Sequence, residues 1–94
     1  MLHKINESYV KSDEGYSIKM GRQHLSYIEN DGHSVTFSVE DMVNPFCLVI
    51  YLEGKDHYWH PPHQSEKLSN SNIEIIKIRI NDVMKFLKIK YEIS

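Results

Sequence analysis

The stretch Leu25-Ser26-Tyr27-Ile28-Glu29-Asn30-Asp31-Gly32-His33-Ser34-Val35-Thr36-Phe37-Ser38-Val39 decides the architecture. Val35, Phe37 and Val39 alternate with Ser34, Thr36, Ser38 and Glu40, and Leu25 and Tyr27 alternate before Ile28 and Glu29. A period of two gathers the apolar residues on one face of a strand. Asp31-Gly32 between two such runs signals a hairpin, because the tight turn needs a positive φ that glycine adopts freely. An antiparallel sheet is therefore the frame.

Outward from the hairpin, Tyr16, Ile18 and Met20 repeat the alternation and predict a preceding strand. Residues Ile5 to Val10 are weakly patterned and read as an edge strand or as irregular chain. Downstream, Asn44-Pro45 breaks the chain. The run Phe46-Cys47-Leu48-Val49-Ile50-Tyr51-Leu52 then lacks polar alternation, which predicts a central strand covered on both faces and ended by Gly54. Next comes His57-Tyr58-Trp59-His60-Pro61-Pro62-His63, with the single Trp and half of the six His. Its prolines fix φ and remove two donors, so it reads as a stiff loop.

The segment Ile73 to Leu87 needs arbitration between strand and helix. On a helical wheel Ile73, Ile76, Ile80, Val83, Met84 and Leu87 fall in one arc of about 100°, the stripe of a packed helix. The segment has no Gly or Pro and is long for a strand, so helix is the reading, with Ser69 or Asn70 as its N-cap. Ile75, Ile78 and Phe86 then lie on the opposite side, beside Asp82. Either another segment covers them or they face a partner. Ile89, Tyr91 and Ile93 predict a closing strand. The expected fold is α+β: an antiparallel sheet of about four to six strands with one long helix packed on it, in the order β-β-β-β-α-β, over a single domain 1–94.

Composition narrows the function classes. A hydrophobic fraction of 40% and a charged fraction of 26% are those of a globular chain. The net charge of −2 argues against nucleic acid, which demands a basic surface. No apolar run approaches the roughly 20 residues that span a bilayer, so no membrane association is expected. The N-terminus lacks a secretory signal, and the single Cys47 excludes an internal disulfide, which together predict a cytoplasmic protein. Charge is unevenly placed, with nine acidic and five basic residues before residue 57 and four and six after it. The first part offers carboxylates to a cationic partner, or simply a solvated face.

Motifs for chemistry are sparse. His57, His60 and His63 repeat every third residue beside Asp56, and imidazoles with a carboxylate can bind zinc. Pro61-Pro62, however, is expected to hold His60 and His63 apart in an extended run, so neither a metal nor a cofactor is expected. The scattered glycines Gly15, Gly21, Gly32 and Gly54 form no phosphate loop, and no serine or cysteine sits in a nucleophile motif. The paired acids Asp13-Glu14 and Glu40-Asp41 adjoin turns, and no catalytic residue is assigned. Trp59 either completes the core over the helix N-terminus or anchors a partner; Tyr58 is left outward in the first case.

The order of features resembles a family of small α+β immunity proteins of bacterial polymorphic toxin systems, the immunity protein 74-like group. The resemblance runs over residues 15–93. Gly15-Tyr16, the turn at Asp31-Gly32, the strand Phe46 to Leu52 and Trp59-His60-Pro61-Pro62 carry its first part. Leu68-Ser69, Ile76 and Ile80 in the helix, and Tyr91-Glu92-Ile93 carry the rest. The triple histidine departs from the pattern. The resemblance implies a non-enzymatic protein that binds and neutralises a cognate toxin, often a nuclease with a cationic cleft. The residues expected to meet it are Asp13, Glu14, Glu29, Asp31, Glu40 and Asp41, with Tyr58 as an aromatic anchor. Two other classes stay open: a homodimeric structural or regulatory domain joined through Ile75, Ile78 and Phe86, and an enzyme acting on a small ligand at the His-rich loop.

Overall fold

A computed structural model describes residues 1–42, 47–52 and 57–94. The predicted break at Asn44-Pro45, the start of the apolar strand at Phe46, its end at Gly54, and Asp56 lie outside the described residues. Among the described residues six strands precede the helix: β1 (Leu2–Asn6), β2 (Tyr9–Ser12), β3 (Tyr16–Met20), β4 (His24–Glu29), β5 (Ser34–Met42) and β6 (Cys47–Tyr51). The helix α1 (Asn70–Leu87) and a last strand, β7 (Tyr91–Ile93), follow. The seven strands form one curled sheet in sequence order, a half-barrel.

This corrects the expected fold. Among the described residues strand accounts for 45% and helix for 21%, so the fold is mostly β, not a sheet of four to six strands packed on a long helix. The sheet is mixed, because β7 pairs parallel to β6 through Leu48–Tyr91, Val49–Glu92 and Ile50–Ile93. A parallel pair cannot be closed by a hairpin, and the chain makes the crossover with the loop 57–69 and α1. The weak N-terminal pattern hides two strands. β1 is exposed along nearly all its length, so no buried face imposes an alternation on its sequence.

The hairpin of β4 and β5 forms as read, pairing Leu25 with Phe37 and Tyr27 with Val35. Its inner face continues through Val10 and Ile18 on one side and Ile50 on the other, all buried. β6 departs from expectation. Leu48 and Ile50 are buried, but Cys47 and Val49 are only half-covered and Tyr51 is exposed, so its outer face is partly open.

α1 closes the concave side with Ile76, Ile80, Val83 and Met84, each buried, and burial of such side chains contributes about 1.5–3 kcal/mol apiece. Ser69 is the N-cap. Its Oγ accepts from the Asn72 N–H at 3.1 Å while Asn72 Oδ1 accepts from the Ser69 N–H at 3.0 Å, a reciprocal box. Lys88 ends the helix in the left-handed region at φ 58°, and the Ile89 N–H closes on the Met84 carbonyl at 3.1 Å. The Tyr91 hydroxyl donates to Asn81 Oδ1, tying β7 to α1. No described helix is long and apolar enough to cross a membrane.

Candidate functional site

The two turns β2–β3 and β4–β5 lie side by side, because the Asn30 N–H donates to the Gly15 carbonyl at 3.0 Å. Gly15 and Gly32 both take a positive φ, 95° and 100°, which lets each chain reverse tightly. Asp13 and Glu14 stand in the first turn, Glu29 ends β4, and Asp31 stands in the second turn. Four of the six predicted acids therefore share one end of the sheet.

Their surroundings differ. Asp13 Oδ1 meets His3 Nε2 at 3.0 Å, and Glu14 is exposed. Glu29 turns inward along the alternation of β4, accepts from the Tyr27 hydroxyl at 2.8 Å and pairs with Arg79 of α1 at 3.6 Å. It is not the exposed acid expected. Arg79 also donates to the Tyr27 hydroxyl and lies 4.6 Å from the Tyr16 ring centre. Burial, then the bond to Glu29, pushes the Tyr27 phenol well above its ordinary value, and burial raises the Tyr16 phenol.

Asp31 accepts from the His33 backbone N–H at 3.0 Å and lies 2.9 Å from His33 Nδ1. The backbone bond, then the ring bond, holds the Asp31 carboxyl below its usual range. The bond to Asp31, with help from Glu66, raises the His33 imidazole.

The loop from His57 to Leu68 folds onto this end. Tyr58 bridges Lys67, the Trp59 N–H donates to Glu66 O at 3.1 Å, and the His60 N–H reaches Ser34 O at 2.8 Å. Trp59 points inward and is 5% exposed, with Tyr27 at 6.5 Å and the edge of His33 at 5.0 Å, so it completes the core; Tyr58 is left 51% exposed. The three histidines separate. His57 Nε2 donates to Leu52 O at 2.9 Å with its ring edge-on to Phe37, and His60 is exposed. Instead of an extended run, the prolines form a turn in which the His63 N–H bonds His60 O at 2.9 Å.

That turn lays His63 on His33, ring centres 3.7 Å apart and planes 16° from parallel. Glu66 brings its carboxylate to 3.4 Å from His33 Nε2. His63 Nδ1 is buried and has no hydrogen-bond partner among the described residues, where such a loss runs to about 1–3 kcal/mol. His33, His63 and Glu66 offer ligand atoms within 4.8 Å of one another, as do Glu29, Asp31 and His33. The sequence reading missed His33, Glu66 and Arg79. Asp31-x-His33 is a local signal that could have found the first pair; the contact of His33 with Glu66 spans 33 residues and leaves none.

Glu40 and Asp41 lie at the other end, where β5 runs past the β3–β4 turn and the Val39 N–H bonds Gln23 O at 2.9 Å. They line a cavity of about 600 Å³ with Arg22, Gln23, His24, Ser38 and Tyr51. The Tyr51 hydroxyl donates to Glu40 at 2.9 Å, and this bond raises the phenol above its ordinary value. The helix residues Ile75, Ile78 and Phe86 point away from the sheet and are 46%, 58% and 43% exposed. Compared with protein-family models, curated proteins and solved structures, the chain matched none.

Proposed function

We propose that the domain acts as a binding module in the cytoplasm, neutralising a cationic protein by covering it, as in the immunity proteins its sequence resembles. The supporting observation is the gathering of Asp13, Glu14 and Asp31 at one end of the sheet, beside a loop that presents Tyr58. Carboxylates so placed steer a positively charged surface, and an exposed aromatic ring supplies contact area at low entropic loss. A nuclease toxin fits this chemistry because its phosphate-binding cleft is cationic. Glu40 and Asp41, at the far end, fall outside the proposed surface.

The test compares the two ends using the protein encoded beside this chain's gene as partner. Changing Asp13, Glu14 and Asp31 together to Lys is expected to weaken association at least tenfold, mainly through the on-rate, and to flatten its salt dependence. Changing Glu40 and Asp41 to Lys is expected to leave both nearly unchanged. An equal or larger effect from the second pair overturns the assignment of the surface.

A second reading is favoured by the exposure of Ile75, Ile78 and Phe86, which follow one another at helical spacing. A second copy could cover this stripe in an antiparallel helix pair about a two-fold axis, which brings Glu74 of one copy toward Lys85 of the other. Light scattering of the chain alone separates the readings: a dimer lost in Ile78→Glu supports the second, and a monomer removes it.

A further inference from the structure

We infer that His33, His63 and Glu66 form a binding site for a zinc-type divalent metal ion, with Asp31 as the residue that orients His33. Two segments far apart in sequence, the β4–β5 turn and the His57–Leu68 loop, deliver these groups to one point. His33 leaves the β4–β5 turn, His63 leaves the Pro61-Pro62 turn, and Glu66 begins the return toward α1. Their ligand atoms lie within 4.8 Å of one another.

The distances favour a metal over a plain ion pair. His33 Nε2 and the Glu66 carboxylate stand 3.4 Å apart, longer than a good hydrogen bond. Two donors held roughly 2.0–2.1 Å from a tetrahedral zinc are separated by about 3.4 Å. The His63 donor lies within 4.8 Å of the other two, and drawing it to the same spacing asks for a turn of the stacked His63 ring that aims its lone pair at the shared point. His63 Nδ1, buried and without a described partner, would gain a bond in that movement.

The surroundings suit the assignment. Asp31 sits 2.9 Å from His33 Nδ1 and accepts its N–H, leaving the Nε2 lone pair aimed at the cluster. A carboxylate behind a ligating imidazole fixes its tautomer and raises its basicity. Trp59 packs edge-on against His33 at 5.0 Å and limits how far the ring can swing. Two imidazoles and a carboxylate select zinc, nickel or copper over magnesium or calcium, which prefer oxygen alone. Glu29 is engaged by Arg79 and Tyr27, so the three protein ligands leave one position on the ion for water. Binding would fasten the His57–Leu68 loop to the hairpin turn. The inference does not rest on the proposed partner surface, with which it shares only Asp31.

The experiment titrates zinc chloride into the chelator-stripped full chain by calorimetry, with cobalt(II) as a spectroscopic probe of four-coordination. Saturable one-to-one binding is expected, with a rise in melting temperature under zinc but not under magnesium. His33→Ala and His63→Ala should each weaken binding at least tenfold, and Asp31→Asn by about tenfold or more. His60→Ala and His3→Ala should leave it unchanged. Because a variant could lose its fold, the wild-type histidine ring signals provide a second reading: zinc should shift those of His33 and His63 and spare His24. No saturable binding, binding that survives the double His33/His63 variant, or ring shifts confined to other histidines overturns the site.

Discussion

The two ends of the sheet use the same residue types differently. At the hairpin end, each of three acids has a basic partner: Asp13 meets His3 of β1, Glu29 meets Arg79 of α1, and Asp31 meets His33 in its own turn. At the far end Glu40 holds the Tyr51 hydroxyl of the neighbouring strand, and Glu40 and Asp41 face an open cavity. One end is knitted to the helix and the long loop, while the other is a rim. A count of carboxylates along the chain cannot tell these apart.

The widest gap between the ends is expected in stability. Trp59→Ala removes the buried ring between Tyr27 and His33 and should cost about 3–5 kcal/mol in urea unfolding. Tyr51→Ala at the far end takes away a side chain on the open outer face, and the loss should stay near 0.5 kcal/mol. Comparable losses at the two positions would mean that the loop is not part of the core.

A middle-sized effect is expected at Arg79. Arg79→Met keeps an apolar stem over Tyr16 but leaves the half-buried Glu29 and Tyr27 hydroxyl without the guanidinium. A loss of about 1–3 kcal/mol follows, the penalty of a poorly satisfied buried polar group. Glu29→Gln with Arg79→Met should recover part of it, since the uncompensated charge is gone. If the double variant is no more stable than Arg79→Met, the pair contributes through packing alone.

How much was legible follows from where the information lies. The β4–β5 hairpin could be read because its alternation and its Asp31-Gly32 turn are local and one face is buried. The helix could be read because Ile76, Ile80, Val83 and Met84 repeat on one stripe. β1 could not, since an exposed edge strand leaves its sequence free. The parallel pairing of β7 could not either, because three residues, Tyr91 to Ile93, carry no sign of their partner. The candidate site fails in the same way. Regular spacing drew attention to His57, His60 and His63, yet proximity is set by the turn at Pro61-Pro62, which sends His63 to a histidine 30 positions earlier in the chain. Glu29 reads as exposed beside a turn, but register on β4 aims it inward toward Arg79.

The smallest expected difference between the ends is in pH dependence, and its sign follows from the Asp31–His33 pair. In unfolded chain these groups titrate near ~3.9 and ~6.5. Folding raises His33, chiefly through the Asp31 bond, so its contribution is complete below about pH 6.5 and disappears as pH climbs through the raised value. Folding lowers Asp31, chiefly through the His33 backbone bond, so its contribution is complete above about pH 3.9 and disappears as pH falls through the lowered value. Both act together from about pH 4 to pH 6.5, with Glu66 favouring the charged imidazole. With chelator present, the melting temperature of the wild type should therefore exceed that of His33→Ala most near pH 5–6 and least above pH 8. The lost stacking on His63 and Trp59 adds an offset that pH does not change, so the slope carries the test. At the far end Glu40→Gln should give a flat difference over the same range, because the Tyr51 phenol it holds is raised above its ordinary value and keeps its proton there. Parallel curves for wild type and His33→Ala would show that the hairpin turn gains nothing from its charged pair, and the contrast between the two ends would then rest on packing.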